Sequence, residues 1–259
     1  MDFVHITSSA NPRYKHARAL LSRRGRKKYA QLLLEGVRLI EDAMSAGYPP
    51  ALLFFEPDAG AHVQSLVARA QMAGTQAISM ESALLAGLTD TVSSQGVVAV
   101  APWPEIPPGD GGLSVLLEHL RNPGNLGTLL RSAAAAGVDQ VVMLPGVTDP
   151  WAPKVLRAGM GAHFRVAIRQ ARDLTQAEAW LGDAKRYRAD ANASRLYTEV
   201  DWRGPSVLIV GGETEAARET ASWSDVQKVA IPMQNGVESL NAAVAASIIL
   251  FEAAHQRTT

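Results

Sequence analysis

Cysteine is absent from the 259 residues. That excludes disulfides, a thiolate nucleophile and cysteine-ligated zinc, and it suits a reducing compartment. Net charge is absent too: 25 Lys and Arg balance 25 Asp and Glu, so the overall charge announces no nucleic-acid partner. No apolar run approaches the length of a membrane span. The first residues, MDFVHITSSA, lack a basic stretch leading into an apolar core, so no signal peptide is expected and the cytoplasm is the default compartment. There is no P-loop and no HExxH. Gly159-Met160-Gly161 is followed by Phe164 where a dinucleotide fingerprint needs its third glycine, which argues against a classical Rossmann cofactor site.

What is present is a globular composition, 47% hydrophobic and 19% charged, on a chain long enough for one large domain or two ordinary ones. The charge is unevenly placed. Residues 13–28 carry Arg13, Lys15, Arg18, Arg23, Arg24, Arg26, Lys27 and Lys28 with no acidic residue among them. Taken alone, such a run reads as a solvated helix face.

The first hundred residues alternate between short apolar runs and segments of helical period. A basic helix is expected within 6–22. Residues 29–46 read as a helix, or as a strand over 29–34 with the helix starting near Glu35-Gly36. Strands are expected at 51–55, 75–79 and 96–101, with a helix over 61–73 closed by Gly74 and a helical turn at 81–85. Pro102, Pro104, Pro107, Pro108 and the glycines at 109–112 then form the clearest linker. After it the rhythm restarts. Strands are expected at 113–117, 140–144, 164–168, 186–189, 207–210 and 229–231, and helices at 125–136, 153–158, 175–181 and 242–257. Strands separated by helix-length segments imply a mainly parallel sheet covered on both faces.

Three stretches after the linker stand at expected strand ends, where open α/β sheets bind ligands. EHLRNPGNLGTLLRSAAAAG (118–137) joins turn chemistry to a helix, with Asn125 a plausible N-cap and Arg131 six positions on. VLIVGGET (207–214) is a buried strand opening into a Gly-Gly turn before Glu213, where backbone can approach a ligand. IPMQNGVESLN (231–241) is a strand stopped by Pro232, a turn at Asn235-Gly236, and two good cap residues, Ser239 and Asn241, before an Ala-rich helix. Singly, each is an ordinary loop feeding a helix.

Together, and in this order, they resemble the three motifs of the SpoU/TrmH family of RNA 2′-O-ribose methyltransferases, within the SPOUT superfamily. The first fits N-x-G-x-x-x-R at Asn125, Gly127 and Arg131. The second departs from the usual G-N-E-G-x-G. Gly211, Gly212 and Glu213 are followed by Thr214, Glu215 and Ala216, so two later glycines are replaced, which bears on cofactor affinity or the loop's backbone path. The N-terminal stretch, from ITSSANPRYKHARALL to LTDTVSSQGVVAV, is similar to the substrate-binding domain that precedes the catalytic domain in many members. Residues 172–202 carry the resemblance least.

The resemblance implies an α/β fold in two domains. Residues 1–101 would form a small L30e-like α/β RNA-binding domain, 102–112 a linker, and 113–259 a SPOUT catalytic domain with a mainly parallel sheet and a deep trefoil knot. It implies S-adenosylmethionine, bound bent and largely by backbone, at Gly211, Gly212, Ile231, Met233 and Leu240. Arg131, Asn125, Glu213, Ser239 and Asn241 would build the catalytic site, without a metal and across a homodimer. The basic run then gains a purpose: Arg13, Lys15, Arg23, Arg24, Arg26, Lys27 and Lys28, with Lys154 and Arg157, become RNA-contact candidates. Arg165 is a secondary candidate, and His163 reads as structural. The expected substrate is large-subunit (23S) ribosomal RNA. The alternatives are a transfer-RNA 2′-O-methyltransferase, a resistance methyltransferase, and an RNA-binding or ribosome-assembly protein of this fold without turnover.

Overall fold

The computed structural model describes residues 3–89, 94–211 and 219–259. Two compact units emerge: Met1–Glu105 with Trp151–Phe164, and Ile106–Pro150 with Arg165–Thr259.

The N-terminal unit is built on a mixed sheet ordered β1-β4-β3-β5-β2. Its strands are β1 (His5–Ile6), β2 (Gln31–Glu35), β3 (Leu52–Phe55), β4 (Gln76–Met80) and β5 (Val97–Pro102). β4 runs parallel to both β1 and β3, while β5 is antiparallel to β3 and β2. Helices α1 (Pro12–Ala19), α2 (Arg23–Tyr29), α3 (Val37–Ser45), α4 (Ala61–Met72) and α5 (Ser82–Ala86) complete it. At 29–46 the strand-then-helix alternative is the one adopted. Leu32, Leu33 and Leu34 are all buried, so both faces of β2 are covered, and Gly36 breaks the chain before α3. The basic stretch is two helices rather than one. Ser22 caps α2, its Oγ accepting from the Gly25 amide at 3.0 Å.

Residues 151–164, within the stretch expected to form the catalytic domain (113–259), pack with the N-terminal unit. This segment carries α7 (Pro153–Gly159). Trp151 stacks against Trp103 at 4.7 Å, Phe164 lies 5.6 Å from Tyr48, and Arg157 pairs with Glu35 at 2.8 Å. His163 is fully buried beside Trp151, as expected of a structural residue.

The C-terminal unit holds a six-stranded sheet, β11-β9-β10-β6-β7-β8, in which every recorded pairing is parallel. Its strands are β6 (Leu113–Glu118), β7 (Gln140–Met143), β8 (Ala167–Gln170), β9 (Lys185–Ala189), β10 (Ser206–Gly211) and β11 (Gln227–Val229). The central strands LSVLLE, QVVM and SVLIV are buried along their length, the pattern of a sheet covered on both faces. Helices α6 (Pro123–Ala135), α8 (Leu174–Leu181) and α9 (Ala242–Thr258) supply the cover. The strand expected at 164–168 is shifted to β8, because 162–164 is taken up by a short 3-10 turn. Ile231 lies just past the end of β11. Among the described residues, no helix is long and apolar enough to cross a membrane.

Candidate active site

The C-terminal unit carries a cleft of about 1040 Å³ at the C-terminal ends of β6, β9, β10 and β11. Parallel strands place their following loops at one edge, so residues far apart in sequence converge there. β6 delivers His119 to Asn122, β9 delivers Ala189 to Asn192, and β10 delivers Val210 and Gly211. The chain after β11 delivers Ile231, Met233, Ser239, Leu240 and Asn241, and the start of α9 closes the cleft.

Of the expected site residues, Asn125, Gly211, Ile231, Met233, Ser239, Leu240 and Asn241 line this one cleft. Gly212 and Glu213 lie outside the described residues. Arg131 does not join the others: it is exposed on α6 and is not among the cleft's lining. Helical period explains this, because a residue six positions after Asn125 does not share its face.

Asn125 is not the N-cap of α6. Asn122 takes that place, its Oδ1 accepting from the amides of Gly124 (2.8 Å) and Asn125 (3.3 Å), with Pro123 at the first helical position. The Asn125 side chain is thereby released, and its Oδ1 accepts from Nδ2 of Asn241 at 3.0 Å. Asn241 in turn caps α9, accepting from the amides of Ala243 (2.9 Å) and Val244 (3.4 Å). One side chain therefore starts the last helix and ties the third motif to the first. Ser239, the other expected cap residue, is exposed in the cleft instead.

Gly211 has φ +111°, and a Cβ there would stand 1.8 Å from the Glu118 carbonyl oxygen. Only glycine fits this position, which supplies backbone to the cleft wall.

Five polar or charged lining residues were missed by sequence reasoning: His119, Arg121, Asn122, Asp190 and Asn192. Asp190 accepts from the Asn192 amide at 3.0 Å and pairs with Lys228 at 3.2 Å. The signal was available, since ADAN at 189–192 is a polar turn directly after an expected strand.

One RNA-contact candidate is corrected. Arg26 is 3% exposed, and its Nη1 donates to the carbonyls of Leu20 and Leu21 at 2.8 Å, satisfying the chain end after α1. Arg157 is half-buried, and its Nη1 donates to Oε2 of Glu35 at 2.8 Å. Lys15, Arg23, Arg24, Lys27, Lys28 and Lys154 are exposed, and Arg13 is half-buried. The exposed Tyr29 ring stands among the first group, with Lys28 5.0 Å above it and His16 edge-on at 4.5 Å.

A parallel α/β sheet with a cleft at its strand ends, lined by both apolar and amide side chains, defines a binding site for a nucleoside-sized ligand. Residues 112–251 match the SpoU rRNA Methylase family, and residues 11–99 match the MRM3-like substrate binding domain. The chain belongs to the SpoU rRNA methylase family. It is 33% identical to an uncharacterized tRNA/rRNA methyltransferase of Synechocystis, over 99% of this chain and 95% of that one. It is 28% identical to the 23S rRNA (guanosine(2553)-2′-O)-methyltransferase RlmP of Bacillus subtilis, over 95% and 97%. Among solved structures it is similar to the AdoMet-bound SpoU methyltransferase AviRb of Streptomyces viridochromogenes, with TM-score 0.82, 27% identity and coverage of 96% and 99%.

Proposed function

We propose that this protein transfers a methyl group from S-adenosylmethionine to a ribose 2′-hydroxyl of large-subunit ribosomal RNA. The observation that carries the reading is the convergence of the first and third motifs, with Gly211 of the second, on one cleft. Family membership supplies the reaction class, and the RlmP relative supports 2′-O chemistry on 23S RNA.

The cleft suits the cofactor. Its volume is at the upper end for a small-molecule site, on the order of 1,000 Å³. Leu120, Ile231, Met233 and Leu240 offer apolar surface to a base, while Asp190 and Asn192 offer polar groups to a ribose. When bound, S-adenosylmethionine supplies an electrophilic methyl group on a sulfonium. The chain's own task is to aim the hydroxyl and to stabilise the charge that develops on it. Asn125 and Asn241 orient each other through their mutual hydrogen bond, and Ser239 lines the same cleft. A guanidinium holds its proton too tightly to act as a general base, so Arg131 is assigned as a clamp for phosphate and developing alkoxide.

Since Arg131 lies outside the cleft of its own chain, this assignment goes with a homodimer in which it serves the partner's site. Exposed apolar side chains support a covered face here: Phe251 and Val244 on α9, and Val237 just before it. The same proposal includes a deep trefoil knot in the C-terminal unit, supported by the return of residues 231–241 to the cleft before α9. It also includes an L30e-like N-terminal unit that holds RNA through Lys15, Arg23, Arg24, Lys27 and Lys28, and a cytoplasmic site of action.

Calorimetric titration with S-adenosylmethionine, followed by mapping of 2′-O-methyl groups on rRNA from cells lacking the gene, tests the reading. A missing methyl restored by the native chain but not by Arg131→Ala is the expected result. An rRNA methylation pattern unchanged by loss of the gene would refute it.

A further inference from the structure

We infer that the buried ion pair Glu118–Arg188 positions the cofactor-facing wall of the cleft; this rests on the function proposed above. Glu118 ends β6 and is 0% exposed, and Arg188 on β9 is 4% exposed. The two strands flank β10, so the pair reaches across the end of that central strand to meet at 2.8 Å.

Among the described residues, its other side-chain bonds go to Gly211 and Thr220. Nη1 of Arg188 donates to the Gly211 carbonyl at 3.3 Å, and Nη2 donates to the Thr220 hydroxyl. Oε1 of Glu118 accepts from the Thr220 amide at 2.8 Å. Gly211 is the last residue of β10, and Thr220, 2% exposed, lies in the turn at Glu219–Ser222. The residue after β6, His119, lines the cleft and meets Glu219 at 3.5 Å. One charged pair thus fixes both Gly211, itself part of the cleft wall, and the turn at Glu219–Ser222.

Fold stability does not account for such a pair. Two charges withdrawn from water gain little over apolar side chains of the same volume. What apolar side chains cannot do is donate to the Gly211 carbonyl and accept from the Thr220 amide at once. Glu118 and Arg188 are therefore positioning residues, acting through Gly211 and Thr220 rather than on the reacting atoms.

The test compares the native full-length protein with Glu118→Leu/Arg188→Met and with Thr220→Ala. Thermal midpoint, affinity for S-adenosylmethionine, affinity for ribosomal RNA, and amide hydrogen exchange at Gly211 and 219–222 are measured on each. The double variant is expected to fold with its midpoint lowered by about 4–8 °C, because the apolar pair offsets the lost ion pair but leaves the Thr220 amide and the Gly211 carbonyl without their partners. Its affinity for S-adenosylmethionine should fall by about tenfold or more, with RNA affinity unchanged and exchange at Gly211 and 219–222 faster by a similar factor. A folded double variant with native cofactor affinity and native protection overturns the inference. If the double variant does not fold, Thr220→Ala decides: about threefold weaker cofactor binding supports the inference, and native affinity with native exchange overturns it. Should the native protein bind no S-adenosylmethionine even with RNA present, the functional reading fails by itself. The exchange rates then judge the positioning role, faster exchange supporting it and unchanged exchange overturning it.

Discussion

Replacing Asn241 separates two roles that one side chain performs. Asn241→Ala removes the N-cap of the last helix, which costs about 1 kcal/mol. It also removes the bond to Asn125, which is exposed to solvent and adds about 0.5 kcal/mol at the low end for a hydrogen bond. The sum of about 1.5 kcal/mol lowers the thermal midpoint of a domain this size by roughly 3–6 °C. Asn241→Asp keeps the acceptor facing the amides of Ala243 and Val244 and adds a negative charge at a helix N-terminus, favourable by about 0.3–1 kcal/mol. It loses the Nδ2 donor and turns a carboxylate oxygen toward Oδ1 of Asn125, so its net effect on stability is near zero. Both variants should bind S-adenosylmethionine about fivefold more weakly, because the two sides of the cleft are no longer joined. Differential scanning calorimetry and titration calorimetry on the two proteins read these quantities. Equal destabilisation by Asp and Ala, or native cofactor affinity in both, would refute the division of roles.

Gly211→Ala should lose at least about 2 kcal/mol and most cofactor binding, since the added Cβ overlaps the Glu118 carbonyl at a positive φ; chemical denaturation and titration report both. Arg26→Ala should destabilise the N-terminal unit by about 2–3 kcal/mol through the loss of two buried charge-assisted bonds. Lys27→Ala, on an exposed side chain, should leave stability unchanged and reduce the salt dependence of RNA binding by a slope of about 1, measured by filter binding across salt concentrations. Tyr187 has its pKa raised, chiefly by burial, with Arg195 opposing and Asp201 reinforcing. A raised folded value means this stability is intact below the unfolded tyrosine pKa of about 10 and is lost as pH rises above it. Tyr187→Phe should flatten that alkaline loss in urea midpoints measured from pH 8 to pH 11, and an unchanged slope would assign the loss to other groups.

Most of the element order was legible before any coordinates. Runs such as LLFF and SVLIV are too short and too apolar for anything but buried strands, and the Ala-rich C-terminal segment has a helix former at nearly every position. The ambiguous stretch at 29–46 was not resolvable by period, because Leu32 to Leu34 suits a helix face and a doubly covered strand equally. Burial on both sides decided it.

The sequence by itself determined the alternating strands and helices, the three motif stretches at strand ends, and the residues able to cap helices. These are local matters, set by side-chain period, by turn residues and by the backbone amides nearest a polar side chain. The tertiary structure alone decided which polar residue did which work. Asn122 rather than Asn125 caps α6, Arg26 is spent inside the protein, Arg157 pairs with Glu35, residues 151–164 pack with the N-terminal unit, and Glu118 meets Arg188 across β10. Asn122 and Arg26 act on backbone close by, whereas Arg157 and Glu118 meet partners distant in sequence; for a buried charge or a side-chain amide the partner, not the residue type, sets the role.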